Sequence, residues 1–325
     1  MNLISIDGLS DADIATLLDE GDRWFDYNRQ PRRHSDRLDG LTIVNAFFEN
    51  STRTLLSFEI AANRLGAQVV TMQVEMSSIK KGETLEDTAR TLNAMRPDAL
   101  IIRHGTSGAP ANIATIMDCA VINAGDGSGE HPTQALLDAA TLRRRFGRID
   151  GLKVAICGDL RHSRVARSNL KLLARLGAEV RLAGPPELLP DDFQGNGSID
   201  TAVEGADAVM MLRIQRERLD EEFGDAPGEY LERYGLTLAR MATAAPGAVV
   251  MHPGPINRGV EIDRALADDG ERSLINLQVE MGVAVRMACL DLLTAERRGG
   301  PLSATPSGPA CRPPRSGRSM PPRVS

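Results

Sequence analysis

Short apolar, β-prone runs alternate with helical patterns along most of this chain, and they do so in two successive sets. The first set has runs at 41–48, 68–74, 99–103 and 120–123, with helically spaced apolar residues at 84–95 and 111–117 between them. The second begins at Lys153-Val154-Ala155-Ile156-Cys157-Gly158 and continues with a helix near 168–176 and runs at 179–183, 208–212 and 248–251. Strands linked by helices in this way form a parallel sheet with helices over its faces. Two sets therefore predict an α/β chain of two domains, each a parallel sheet flanked by helices, joined by interdomain helices. The span 131–150, helical and then turn-like at Phe146-Gly147-Arg148, is the expected bridge. A helix over 10–28, capped by Ser10 or Asp11, opens the chain, and a long helix over 274–293 follows the second set. A length of 325 residues suits two domains with a core each.

Composition narrows the function. Hydrophobic residues make up 42% and charged residues 25%, as in ordinary soluble proteins. No apolar run is long enough to span a bilayer, and the N-terminus lacks the basic stretch and apolar core of a secretory signal, so a cytoplasmic protein is expected. Residues 297–325 hold six arginines and no acidic side chain, so the body before them is more acidic than the formal charge of −6. That tail, rich in Pro, Ser and Gly, is expected to be disordered. An acidic body with 3% aromatic residues argues against nucleic acid as a partner. The four cysteines form no CxxC pair and the five histidines have no metal-type spacing, so no metal or other cofactor is expected.

Six polar clusters fall at strand ends or helix starts. In Glu49-Asn50-Ser51-Thr52-Arg53-Thr54 a strand gives way to the first turn of a helix, where unpaired N–H groups and the macrodipole favour an anion. Ser51 or Thr52 can also serve as a plain N-cap, but Arg53 and the second threonine weigh toward anion binding. Ser77-Ser78-Ile79-Lys80-Lys81-Gly82-Glu83-Thr84 is a lysine-bearing loop before a helix. Asp126-Gly127-Ser128-Gly129-Glu130-His131-Pro132-Thr133-Gln134 presents an imidazole suited either to polarising an oxyanion or to capping a helix. Arg161, Arg164 and Arg167 follow Gly158, with no GxGxxG fingerprint, and so favour carboxylate ligands over a dinucleotide. Arg213 and Gln215 alternate to one side after the strand at 208–212, at the head of a charged stretch, 215–231, that reads as a loop. His252-Pro253-Gly254-Pro255 is a stiff turn able to hold carbonyls toward a ligand.

These clusters supply hydroxyls, Arg, Lys, one His and one Gln, with no acid–base dyad. Such an inventory suits attack by a substrate's own nucleophile on a phosphorylated acyl group, where positioning and electrostatics carry the catalysis.

The ordered set of Ser51-Thr52-Arg53-Thr54, the lysine loop, His131-Pro132-Thr133-Gln134 and His252-Pro253-Gly254-Pro255 resembles the carbamoyltransferases over roughly the first 295 residues. Thr133, Pro253 and Lys80-Lys81-Gly82-Glu83-Thr84 resemble the aspartate branch, whereas the ornithine branch carries a cysteine in its His-Cys-Leu-Pro motif. The resemblance implies transfer of a carbamoyl group from carbamoyl phosphate to L-aspartate in pyrimidine synthesis. Another amine acceptor such as ornithine, or a non-catalytic homologue acting as a structural partner, is the alternative.

By that resemblance Ser51, Thr52, Arg53, Thr54, Ser77, Arg103, His131, Gln134, Pro253 and Gly254 bind carbamoyl phosphate. Lys81, Arg164, Arg213 and Gln215 bind aspartate, and Arg53, Thr54, Lys81, Arg103 and His131 assist the chemistry. It also implies a carbamoyl-phosphate domain over 1–135 completed by the helix at 274–296, and an aspartate domain over 150–273. Ser77 and Lys81 would enter a neighbouring subunit's site, which implies a homotrimer and leaves open a larger assembly with regulatory chains or dihydroorotase. Two positions depart from the familiar pattern: Gly254 stands for a leucine and Val165 for a threonine. The contact at 254 is a backbone carbonyl, so little loss of chemistry is expected.

Overall fold

A computed structural model describes residues 1–72, 82–191, 197–214 and 227–298. Helix α1 (Asp11–Asn28) opens the chain behind a reciprocal cap, in which Ser10 accepts from the Asp13 amide and Asp13 accepts from that of Ser10. There follow β1 (Thr42–Phe47), α2 (Thr52–Arg64), β2 (Gln68–Met72), α3 (Leu85–Ala94), β3 (Ala99–His104), α4 (Ala109–Ala114) and β4 (Ala120–Asp126). Helix α5 (Pro132–Phe146) leads to β5 (Lys153–Cys157), α6 (Arg164–Arg175), β6 (Glu179–Ala183), α7 (Ile199–Val203) and β7 (Ala208–Met211). The last elements are α8 (Pro227–Tyr234), α9 (Leu238–Met241), β8 (Val249–Met251), α10 (Arg264–Ala267) and α11 (Ile275–Leu293).

Two four-stranded parallel sheets result, in the orders β2-β1-β3-β4 and β6-β5-β7-β8. Their central strands are apolar on both faces, as strands covered by helices on both sides must be. The period of two sorts the side chains. Val44, Ala46, Leu100 and Ile102 face one core under α3 and α4, while Ile43 and Ile101 join a second, larger core. In the other sheet Ala155, Cys157, Val209 and Met211 face α7, α9 and α10, whereas Val154, Ile156 and Met210 join that same large core.

The large core is continuous between the sheets because α5 and α11 lie in it. Every residue from Pro132 to Leu142 is buried, Gln134 and Asp138 included, as is most of the more apolar α11, so both helices are enclosed by the rest of the protein. Gly147, in the left-handed region, ends α5 at the turn expected there.

Two expectations need correction. Residues 227–231 are not loop: α8 begins at Pro227, because Tyr230 is fully buried with Leu188, Ile214 and Val260 in a small core of its own. Proline suits the first turn of a helix, so its presence did not argue for a loop. The start of the basic tail is also ordered. Arg297 ends a short 3-10 turn and donates to the Asp118 carbonyl, and Arg298 pairs with the buried Asp291 carboxylate. Residues 299–325, for which disorder was expected, and residues 215–226 of the expected loop lie outside the described residues. Among the described residues no helix is long and apolar enough to cross a membrane.

Candidate active site

The carboxyl ends of both sheets open on one cleft, where ligands bind in open α/β sheets, with a cavity of about 580 Å³. It gathers Ser51, Thr52, Arg53, Thr54, Arg103, His131, Gln134, Arg164, Arg213, Pro253 and Gly254, from segments spread over 200 residues. Ser77, Lys81 and Gln215 lie outside the described residues.

One wall is the start of α2. Ser51 occupies the N-cap position but makes no capping hydrogen bond, so its hydroxyl, and the exposed Thr52 and Arg53, are available to the cleft. Thr54 is buried, with Oγ1 3.5 Å from Nε2 of His131. Arg103 comes from β3, level with the end of β1 through the Phe47–Arg103 register, and donates to the Ala124 carbonyl at 3.1 Å. Burial, reinforced by Arg164 and opposed by Glu49, lowers its pKa to about 10, which leaves it charged at neutral pH.

His131 fills the N-cap position of α5 without a side-chain cap bond, while its backbone N–H donates to Ser168 Oγ at 2.9 Å. Of its two roles left open by the sequence, the cap is not the one the ring plays. Burial first, then Arg103, Arg286 and Arg164, push its pKa well below the ordinary imidazole value, so the ring is neutral at neutral pH. A neutral imidazole among guanidiniums donates one N–H without adding charge. Gln134, one turn on, gives its Nε2 to Asp138 Oδ1 at 3.0 Å, which leaves its carbonyl for the cleft.

On the other side Arg164 opens α6 and Arg213 follows β7, exposed while Ile214 beside it is buried, as the alternation predicts. Glu49 lies between the two sets of cations, 2.9 Å from Arg164 Nη1 and 3.4 Å from Arg103 Nε. Gly125, with φ +120°, lets both arginines approach, since a Cβ there would fall 2.9 Å from Arg103 Nη1 and 3.0 Å from Arg164 Nε.

The turn after β8 is braced by buried His252, whose Nδ1 accepts the Gly254 N–H at 2.8 Å while Nε2 faces Glu261 at 3.2 Å. Asn257 ties this turn to the Arg213 segment by donating to the Ile214 carbonyl at 2.9 Å. Gly254 has φ +69°, and a Cβ on it would stand 2.6 Å from Cζ of Arg53. Glycine where leucine was expected thus leaves room for the Arg53 guanidinium in this position.

The sequence reading gave no role to Glu49, Arg286 or Gln278, all of which line the cleft. Glu49 stood within a quoted motif without a role. Arg286, buried against Phe58 with its pKa lowered by burial to about 10, adds a cation to the cleft floor. A lone arginine in an apolar helical run was its only signal. Gln278, on the same helix, reaches the cleft through contacts 140 residues away in sequence, for which no local pattern exists. Five arginines against Glu49 and Asp159 make the cleft a receptor for a polyanion. Among the described residues no His, Cys, Asp and Glu side chains are grouped to hold a metal.

Residues 1–144 match the family model for the aspartate/ornithine carbamoyltransferase carbamoyl-P binding domain, and residues 150–293 match that for the Asp/Orn binding domain. The aspartate carbamoyltransferase catalytic subunit of Rhizorhabdus wittichii is 61% identical over 92% of this chain and 96% of its own. The aspartate transcarbamoylase of Trypanosoma cruzi, solved with carbamoyl phosphate and aspartate, superposes with a TM-score of 0.79 at 33% identity, covering 89% of this chain and 94% of that one. Ornithine carbamoyltransferase from Pyrococcus furiosus gives a TM-score of 0.81 at 26% identity over 90% and 97% of the two chains. Matched in both halves by its family models and along nearly its whole length by its relatives, the chain belongs to the aspartate/ornithine carbamoyltransferase family.

Proposed function

We propose that this protein transfers the carbamoyl group of carbamoyl phosphate to the amine of L-aspartate, giving N-carbamoyl-L-aspartate and phosphate for pyrimidine synthesis. The observation that carries the reading is the division of the cleft's cations. Arg53 and Arg103 come from the first half of the chain, with the α2 N-terminus and a neutral His131, and Arg164 and Arg213 come from the second, with Arg103 and Arg164 meeting at Glu49. The relatives named as aspartate carbamoyltransferases add to it, at 54–61% identity.

The residues divide the work. Ser51, Thr52, Arg53, Thr54 and Arg103 hold the phosphate, and His131, Thr54 and Arg103 polarise the carbamoyl oxygen. Gln134 and the carbonyls of Pro253 and Gly254 accept from the carbamoyl NH2. Arg164 and Arg213, with Lys81 and Gln215, take the two carboxylates of aspartate, and the same cations repel ornithine's amine-bearing side chain. The aspartate nitrogen forms the new C–N bond with its lone pair. The bond from the carbonyl carbon to the phosphate oxygen breaks, and the leaving phosphate takes both its electron pair and the amine's proton, so no protein base is needed. Residues 1–135 with 274–296 form the carbamoyl-phosphate domain in this reading, and 150–273 the aspartate domain.

The active unit is a cytoplasmic homotrimer in which Ser77 and Lys81 serve the neighbouring site. Leu56 and Ile60, one turn apart on α2, and Val70 on the edge strand β2 support an interface there, being 48%, 41% and 51% exposed. Replacing Arg53 by alanine is expected to lower turnover by at least about 10²-fold, the scale of one lost charge-stabilising contact. Since Arg53 is exposed, stability should move by no more than about 0.5 kcal/mol. Near-normal turnover in that variant contradicts the site.

A further inference from the structure

Three side-chain amides converge on one buried carboxylate beneath the cleft. Asp138, one turn after Gln134 on α5, is fully buried. Its Oδ1 accepts from Gln134 Nε2 at 3.0 Å and from Gln278 Nε2 at 2.7 Å, and its Oδ2 accepts from Asn169 Nδ2 at 2.8 Å. The donors come from α5, α11 and α6, so the carboxylate joins helices of both halves of the chain. Gln278 turns its other end, Oε1, to the backbone N–H of His252 at 2.9 Å, and His252 Nδ1 in turn accepts the Gly254 N–H at 2.8 Å.

An ionised carboxylate only accepts hydrogen bonds, so every amide that meets it must present its NH2 and direct its carbonyl elsewhere. Gln134 is thereby left with its carbonyl toward the cleft, and Gln278 with its carbonyl on His252. We propose that Asp138 is the positioning residue of the carbamoyl-amine subsite. Through Gln134, and through Gln278 and His252, it sets both groups of carbonyls that accept from the substrate NH2. The proposal rests on the reading of Gln134, Pro253 and Gly254 as those acceptors. Burial raises the Asp138 pKa to about 6, against the opposing pull of Gln278, Asn169, Gln134 and the facing Arg286, so the group is ionised at neutral pH.

Asp138→Asn keeps the shape but places an NH2 where an oxygen accepted, so at least one of the three amides must turn over. The test compares carbamoyl phosphate with acetyl phosphate, in which a methyl group replaces the amine, as ligands of the full-length protein. In Asp138→Asn the Kd of carbamoyl phosphate should rise about tenfold, the scale of a lost hydrogen bond, while that of acetyl phosphate stays within about twofold. Equal weakening of both ligands means that Asp138 only supports the fold and overturns the proposal. Gln134→Ala separates the two claims. The same selective loss there, with none in Asp138→Asn, overturns the proposal and leaves the subsite reading intact; no selectivity in Gln134→Ala overturns both. If Asp138→Asn does not fold, Gln278→Met takes its place, cutting one arm of the network, and is read by the same ratio of affinities.

Discussion

The His131 ring sits at the start of α5 yet caps nothing, and its surroundings of buried apolar groups and guanidiniums keep it neutral. The state has a thermodynamic signature. An unfolded imidazole takes up a proton near pH 6.5, whereas the folded one does not until far lower, so below about pH 6.5 the unfolded state binds more protons and stability falls with pH. Thermal unfolding followed from about pH 7.5 to about pH 5.5 should show a smaller loss of Tm in His131→Gln than in the natural protein. Equal losses contradict a neutral buried ring. At this scale the sequence was informative where a polar residue type stands at a helix start or strand end, as Arg53 and His131 do, and the fold brings both to one cleft. It was silent on Asp138 and Gln278, whose meaning comes from a meeting across 140 residues.

Elements carry the site through their ends. Strand β4 finishes at Asp126 beside Gly125, whose positive φ and missing side chain admit Arg103 from strand β3 and Arg164 from the start of helix α6. Gly125→Ala should cost about 1 kcal/mol or more of stability, since alanine is strained at that φ. It should also raise the KM of both substrates by displacing both guanidiniums. An unchanged KM for aspartate, with a changed one for carbamoyl phosphate, places Arg164 outside the shared cluster. Most strands and helices were legible because their periodicity is local: the run at 179–183 coincides with β6, and 99–103 differs from β3 by one residue. Helix α8 was not, because what holds it is Tyr230 packing on Leu188, Ile214 and Val260, a tertiary cause. The apolar character of α11 was readable, but the depth at which it holds Arg286 was not.

At the scale of the molecule, two sheets share one core through α5 and α11, and the cleft lies where both sheets end. In the proposed reading the phosphate is held from the first half of the chain and the carboxylates from the second, and the proposed trimer adds Lys81 from a neighbour. Chains carrying Arg53→Ala and chains carrying Lys81→Ala should each be inactive as homotrimers and regain part of the activity when dissociated and reassembled together. No recovery on mixing contradicts shared sites. The two-domain architecture was readable from the doubled alternation, but the identity of the acceptor depends on which cations face the second half of the cleft. The most direct measurement is therefore ureido product formed by the purified protein from carbamoyl phosphate with either L-aspartate or L-ornithine. Turnover with aspartate and none with ornithine is the predicted result, and turnover with ornithine alone contradicts the assignment of Arg164 and Arg213 to a dicarboxylate.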